Sequence, residues 1–504
     1  MTAGMSTISG PGALRPGPER EAAEAVNSRQ TRSLYAARVK IFPKHVTGFF
    51  RRLKWILLIA ALAIYYVLPW IRYDRGIHVP DQAVLVDLAH RRFYFFFIEI
   101  WPQEFYYVAG LLIMAGVGLF LVTSVVGRAW CGYACPQTVW TDLFLKVEEW
   151  VEGDRNARIK LDKASWSASK IGKFALKNAI WLLISVATGG AWIFYFADAP
   201  TLARDFLTLD AAPVAYFTVA TLTATTFIFA GYMREQVCTY MCPWPRIQGA
   251  MLDEDSLIVT YNDWRGEPRS GHRKRVLDGE KIGDCVDCNA CVAVCPMGID
   301  IRDGNQLECI TCALCIDACD GVMEKVGSPK GLIAYSTLRS YNAAVAGHPV
   351  KPNWHVVLRP RTLIYSGIWA LIGVLMLVAL LTRDRLGLDV VPDRNPLYVT
   401  LSDGSIRNGY TVKVLNMQGT PRRFLLQLDG LPQARMASSD LGQPKGESLE
   451  IEVPADKLRA VKVFVESPRA SLATRETPFR FLVTEIIAET PETSAARAIF
   501  HAPR

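Results

Sequence analysis

Twelve cysteines carry the chemistry of this 504-residue chain, and all of them fall in patterned motifs. Eight lie between Cys285 and Cys319 in the spacing C-x2-C-x2-C-x3-C, written twice: Cys285, Cys288, Cys291, Cys295 and then Cys309, Cys312, Cys315, Cys319. Each iron of a [4Fe–4S] cubane needs one soft thiolate, and this run supplies three from one tight loop and the fourth from the other copy. The spacing therefore assigns Cys285, Cys288, Cys291 and Cys319 to one cluster, and Cys309, Cys312, Cys315 and Cys295 to a second. Zinc ribbons would need only C-x2-C pairs and would leave half of these cysteines idle. The implied chemistry is one-electron transfer.

The remaining four cysteines form a C-x3-C-P motif twice, Cys131 and Cys135 before Pro136, Cys238 and Cys242 before Pro243. On an α-helix residues i and i+4 share a face, so each pair can point one way. The proline bends or ends the helix just after it. If the two copies are neighbours, four thiols converge. Soft thiolates select Cu(I), zinc or a further iron–sulfur cluster, and a reversible disulfide stays open as well. Met241 offers a thioether inside the second copy. Buried cysteines otherwise act as small hydrophobes, but two copies at equivalent places argue for a site.

The elements that must position these residues are apolar. Five stretches approach the roughly 20 residues that span a bilayer: 55–71, 105–127, 176–197, 212–233 and 362–382. Residues 93–101 are too short to span and contain Glu99, which predicts an interfacial or packed segment. Residues 29–54 hold eight Lys/Arg and no acid, 128–177 hold nine, and 198–211 only Arg204. By the positive-inside rule the N-terminus is cytoplasmic and, after five crossings, the C-terminus lies outside. Both C-x3-C-P motifs follow spans running inward and so meet the long 234–361 loop that carries the ferredoxin run. Residues 383–504 contain no cysteine, in keeping with an oxidising compartment where nothing crosslinks.

The first 28 residues are Gly-, Ala- and Pro-rich without an apolar core; they predict a disordered start and no cleaved signal peptide. The basic run Arg265–Arg275 reads as a solvated loop. Beyond the fifth span, alternation such as Tyr410-Val412-Val414, Phe424-Leu426-Leu428, Leu449-Ile451-Val453, Val461-Val463-Val465 and Phe479-Phe481-Val483 predicts five to seven half-buried strands. That pattern suits a disulfide-free sandwich of immunoglobulin type, a structural or partner-docking module. The expected architecture is a five-helix transmembrane bundle with a cytoplasmic two-cluster ferredoxin insertion and a C-terminal all-β immunoglobulin-like sandwich. Its expected divisions are a basic tail over 1–54, a four-helix core over 55–260, the ferredoxin domain over 261–340, a linker and fifth span over 341–382, and the sandwich over 383–504.

All seven histidines lie outside the five stretches, so axial ligation of haem inside the membrane is excluded. No Rossmann glycine signature or P-loop appears, so a bound nicotinamide, Rossmann flavin or ATP is not supported. The net charge of +8 is explained by the membrane flanks and calls for no nucleic acid.

The chain resembles the FixG/CcoG/RdxA accessory proteins of the cbb3-type cytochrome c oxidase. The resemblance rests on Trp101-Pro-Gln-Glu-Phe-Tyr-Tyr, Gly127-Arg-Ala-Trp-Cys-Gly-Tyr-Ala-Cys-Pro-Gln-Thr-Val-Trp, Glu152-Gly-Asp-Arg-Asn-Ala-Arg-Ile-Lys-Leu-Asp, Arg234-Glu-Gln-Val-Cys, the double ferredoxin motif and the β-rich tail. It covers nearly everything from about residue 34 on. It implies a multi-pass protein of the bacterial inner membrane that reduces Cu(II) to Cu(I) for the oxidase's copper site. It further implies that Cys131, Cys135, Cys238 and Cys242 bind copper catalytically. The implied partners are copper ions, oxidase-assembly and copper-chaperone proteins and an unidentified electron donor, with homo-oligomerisation open. The chain departs from a standard two-cluster ferredoxin at Asp320, where proline is usual after the last ligand. A membrane-anchored electron conduit, a copper-binding scaffold without turnover and a cluster-based sensor are the competing readings.

Overall fold

The computed structural model describes residues 20–27, 39–76, 79–270, 282–348, 350, 357–383, 385–455, 457–472, 474–486 and 491–503. They form two compact units. One runs up to Ile71 and resumes over Gln82–Val374; the other joins Arg72–Asp81 to Leu375–Arg504. The ten residues 72–81, assigned by sequence to the membrane core, thus belong with the tail.

Among the described residues five helices are long and apolar enough to cross a membrane: Phe49–Trp70, Pro102–Val126, Ala168–Ile193, Pro213–Met233 and Pro360–Leu381; the first four lie in the first unit, and the fifth begins there and ends in the second. The first starts at Phe49, ahead of the apolar run, because a distant carboxylate caps it. Asp317 accepts from the backbone N–H of Phe50 at 3.2 Å and of Arg51 at 2.7 Å, satisfying donors that a helix start leaves orphaned. The Arg51 side chain then pairs with Asp142 at 2.9 Å, and Lys54 lies 3.8 Å from the same carboxylate. The two cations ahead of the apolar run thus share one carboxylate. The first and third spans meet through Thr188, whose carbonyl accepts from the Tyr65 hydroxyl at 2.7 Å and whose hydroxyl accepts from the Trp140 indole at 2.8 Å. The second and fifth meet through Phe120 and Tyr365, ring centroids 6.4 Å apart.

The segment expected to be interfacial is a small antiparallel sheet, β1 (Val84–Asp87), β2 (Arg92–Phe95) and β3 (Ile98–Ile100). Glu99 is accommodated there by Arg92 at 3.1 Å. The ferredoxin segment is bracketed by β4 (Ile258–Tyr261) and β5 (Ile333–Ser336), antiparallel with Tyr261 opposite Ile333.

The disordered start is corrected in part. Residues 1–19 and 28 lie outside the described residues, but 20–27 form an ordered strap across the ferredoxin. The Glu21 N–H donates to the Cys288 carbonyl at 2.8 Å, and the Val26 N–H to that of Gly298 at 2.9 Å. The Asn27 side-chain amide donates to the Met297 carbonyl at 2.7 Å. Composition signals disorder only when a segment has no partner surface, and here it has one. The basic run is also less solvated than expected. Arg265 pairs with Asp284 at 2.5 Å and Arg269 with Glu267 at 3.6 Å, while 271–275 lie outside the described residues.

The second unit is a two-sheet sandwich. Its strands are β6 (Leu386–Pro392), β7 (Val399–Thr400), β8 (Ile406–Asn416), β9 (Arg422–Asp429), β10 (Arg435–Ser438), β11 (Ser448–Val453), β12 (Leu458–Ser467), β13 (Glu476–Glu485) and β14 (Thr493–His501). One sheet has the order β10-β12-β8-β6 with β7 on β8; the other is β11-β9-β13-β14. Among the described residues nine strands form where five to seven were expected, because β7 and β10 are too short to show an alternation. The alternating residues point inward: Val412, Val463, Phe424, Leu426, Ile451 and Phe481 are fully buried, each contributing roughly 1.5–3 kcal/mol relative to exposure.

Candidate functional site

The two ferredoxin half-motifs repeat in backbone as well as in sequence. Asp287 and Asn289 adopt positive φ (53° and 56°), as do Thr311 and Ala313 (50° and 61°). Alternation of left- and right-handed residues turns successive N–H groups into one concavity, a cradle for anionic centres such as iron–sulfur clusters. Each loop then enters a helix, Ala290–Ala293 and Leu314–Val326.

One cavity is lined by Cys285, Cys288, Cys291 and Cys319, with Tyr261 and Arg302. A second is lined by Cys295, Cys309, Cys312 and Cys315, with Met297 and Ile310; Cys291 also borders it. Among the described residues, no three Cys, His, Asp or Glu side chains converge on a single ion. The cysteines around each cavity fit a cubane, which gives each of four thiolates its own iron. Burial pushes Cys319 and Cys295 up to about 12 and Cys309 up to about 11. These thiols stay protonated until a metal displaces the proton, and loading must release protons. Asp320, in place of proline, lies within the Leu314–Val326 helix and accepts from the Gly331 N–H at 2.8 Å. It anchors the turn into β5 and leaves Cys319 in place.

The C-x3-C-P motifs differ from the expected α-helical geometry. Each begins with a break at positive φ, Gly127 (59°) or Arg234 (45°), four residues before its first cysteine. A wide π-type turn follows, Trp130–Ala134 or Val237–Met241. The second cysteine is extended, Cys135 at φ −62°, ψ 129° and Cys242 at φ −81°, ψ 122°. A following proline drives its predecessor out of the helical region, and each proline opens the next helix rather than ending the previous one. Glycine suits the first break; a Cβ at Gly127 would meet the Leu257 carbonyl oxygen at 2.5 Å. Arg234 bears the strain of positive φ through its own anchors: it donates to Glu148 at 2.7 Å and to the Gly231 carbonyl at 2.8 Å.

Glu148 is the hub of a buried network with Arg158 at 3.3 Å, Lys177 at 3.4 Å and Arg234. Burial alone would raise its carboxyl, but the three cations, Arg234 foremost, hold it down to about 2. This network locks the second motif to the helix that follows the first.

The two motifs come together. Burial pushes Cys131 up to about 11 and Cys238 up to about 12, with the other membrane-face thiols adding to both shifts and the Arg128 guanidinium opposing them. Cys131 donates to the side-chain oxygen of fully buried Gln248 at 2.9 Å. Cys238 is half-buried and Cys242 exposed, so the group opens on one side. It also abuts the second cysteine cage. Cys131, Ile310, Cys312 and Leu314 share one packed core, with Cys238, Cys295, Cys309 and Cys315 against it. The Tyr133 hydroxyl donates to the Cys312 carbonyl at 3.1 Å, and Arg128 donates to the carbonyl of Leu307.

Sequence reasoning missed Gln248, Arg128, Tyr133, Arg302 and the 20–27 strap. Only the placement of Arg128 and Tyr133 inside the first motif could have signalled any of them. Met241 is half-exposed.

Comparison with known proteins agrees with this geometry. A 4Fe-4S dicluster domain family matches residues 233–338, a 4Fe-4S binding domain family matches 108–158, and the family described as an IG-like fold at the C-terminal of FixG matches 376–503. The chain is 59% identical over 505 residues to the nitrogen fixation protein FixG of Rhizobium meliloti, covering 95% of each. It is 55% identical to protein RdxA of Cereibacter sphaeroides over 87% of this chain and 91% of that one. Protein RdxB of the same organism is 56% identical over 91% and 96% respectively.

Proposed function

The chain belongs to the FixG/RdxA family, and from that premise we propose that it reduces Cu(II) to Cu(I) at Cys131, Cys135, Cys238 and Cys242, supplying copper for assembly of a cbb3-type cytochrome c oxidase. Its 4Fe-4S domains make it an iron–sulfur, oxidoreductase-like protein. The observation that carries the finer reading is the shared core of the membrane-face thiols and the second cysteine cage. A copper ion held by the first group would sit beside an electron source.

Cys285, Cys288, Cys291 and Cys319 would hold one cluster, and Cys309, Cys312, Cys315 and Cys295 the other. When bound, the clusters supply electrons singly, which matches the one electron that Cu(II) takes up. The membrane-face thiols favour Cu(I) over Cu(II), because soft ligands select the soft ion. Binding releases thiol protons, and the Arg128 guanidinium stabilises the resulting thiolates. Exposed Cys242 gives copper a way in and Gln248 holds Cys131 in place. The sandwich would dock copper chaperones or oxidase-assembly proteins.

The proposed setting is the bacterial inner membrane, with the ferredoxin segment cytoplasmic and the sandwich periplasmic. Five crossings put the loop after the first span and the tail after the fifth on one side, and the second unit unites these two pieces. A second reading of the membrane-face site, a third cluster, is favoured by the match of a 4Fe-4S binding domain to the segment holding Cys131 and Cys135.

The deciding experiment is anaerobic Cu(II) reduction by the pre-reduced protein. Replacing Cys131 and Cys135, or Cys238 and Cys242, with serine should slow it at least tenfold with iron content unchanged. Cys291→Ser should abolish it by loss of a cluster. A buffer-thiol control excludes direct reduction by free thiolate. Unchanged reduction in the quadruple serine variant would leave an electron conduit instead.

A further inference from the structure

A cleft of about 350 Å³ lies in the ferredoxin segment, within the size range of small-molecule sites. β4 forms one wall through Val259 and Tyr261. Asp303 and Asn305 form another, and the helix Leu338–Val345 a third through Leu338 and Tyr341. Tyr261 and Arg302 line both this cleft and the cavity of Cys285, Cys288, Cys291 and Cys319. A molecule seated in the cleft is therefore one side chain away from the first cysteine cage.

Position and charge select the ligand. The cleft adjoins the ends of two apolar helices. Leu257, just before β4, donates its N–H to the Val125 carbonyl at 3.0 Å, at the end of the second span. Arg339, on the helix that walls the cleft, pairs with Asp255 at 2.7 Å, and Arg359 at the head of the fifth span pairs with neighbouring Asp253. The walls from β4 and from the helix Leu338–Val345 bring aromatic and aliphatic side chains, and the polar side carries two exposed carboxylates, Asp263 and Asp303. The Arg302 guanidinium is committed to Asp287 at 2.8 Å, Asn289 at 2.8 Å and Asp300 at 2.6 Å, so the lining offers no unpaired cation for a phosphate. A nucleotide would meet carboxylates. A neutral aromatic carrier with hydroxyls to donate would meet acceptors, and a lipid-soluble one, dissolved in the bilayer, would reach the cleft at the ends of these helices.

We propose that this cleft binds a lipid-soluble quinol and is the point where electrons enter the chain. The inference rests on the reading that the eight ferredoxin cysteines hold two clusters. Oxidation of one quinol to quinone breaks two O–H bonds and releases two protons and two electrons. The protons pass to Asp263 and Asp303 and on to water; the electrons match two one-electron acceptors, the two cysteine-held centres. Tyr341, whose hydroxyl donates to Asp263 at 2.7 Å, orients that acceptor.

The test uses full-length protein, both clusters loaded, in anaerobic phospholipid vesicles. Decylubiquinol should bleach the clusters' visible absorbance, and Asn305→Trp, which fills the cleft from its exposed rim, should slow this at least tenfold. Leu338→Asp, also on the exposed rim, should do the same. Dithionite reduction and reoxidation by Cu(II) should be equal in all three proteins. An azidoquinone should label residues 258–263, 303–305 or 338–341 on illumination. No bleaching by decylubiquinol, an equal rate in both variants, labelling elsewhere, or cleft-dependent reduction by reduced flavin mononucleotide alone would each overturn the proposal. Failure of Cu(II) to reoxidise dithionite-reduced protein would instead strike the copper reading and leave the cleft assignment standing.

Discussion

The Tyr133 hydroxyl donates a hydrogen bond to the backbone carbonyl of Cys312 at 3.1 Å, across 179 residues of sequence. It ties the first membrane-face motif to the loop of the second cysteine cage. Removing it with Tyr133→Phe should cost about 1 kcal/mol, the usual net worth of such a bond. Iron content should stay constant while single-turnover Cu(II) reduction slows several-fold. Rapid mixing of pre-reduced protein with Cu(II) measures this, and an unchanged rate would show that the bond only holds the fold.

Iron counting separates the readings of the thiols. Two cubanes require about eight iron atoms per chain, and a third cluster about twelve. We expect about eight in anaerobically reconstituted protein. Cys288→Ser should perturb one paramagnetic signal and Cys312→Ser the other.

Glu148 makes the fold acid-sensitive. Its carboxyl is held down to about 2, below its ordinary value of 4.5. Its contribution is complete above that ordinary value and is lost as pH falls from about 4.5 towards 2. Glu148→Gln should cost roughly 3–5 kcal/mol at neutral pH, since it leaves Arg158 and Arg234 buried without their carboxylate, whereas Lys177 keeps Glu152 at 2.7 Å. Its stability should also change less than wild type's across that acid window. Thermal unfolding in detergent at stepped pH reads both effects.

Reporter fusions test the sidedness. A reporter active only in the periplasm should work after residue 400 and fail near residue 275, by the five crossings and the basic flanks. Equal behaviour at both sites would mean that one helix does not cross, and the fifth would be the first to re-examine.

The sandwich core gives a stability prediction independent of metals. Phe481, fully buried between the sheets, should cost about 3–5 kcal/mol when changed to alanine. Iron content should be unaffected, because β13 lies in the other compact unit.

The sequence by itself determined whatever is local or periodic. Five apolar runs became five long helices, and the alternation through Tyr410-Val412-Val414 and Val461-Val463-Val465 became the inward faces of β8 and β12. The first three cysteines of each run lie on one tight loop and reach one cage, while the fourth, Cys295 or Cys319, lines the cavity of the other run, as the ferredoxin spacing requires. Only the tertiary structure decided what these pieces touch. A helical reading of C-x3-C-P failed at Cys135 and Cys242 because the following prolines and the positive-φ breaks at Gly127 and Arg234 act together, and Arg234 can hold its conformation only once Glu148 is in place. The early start of the first helix depends on Asp317, and the order of the strap on backbone groups at Cys288 and Gly298. No periodicity encodes such contacts, because they join segments from 86 to more than 260 residues apart, and their free energy exists only after the chain has brought those segments together.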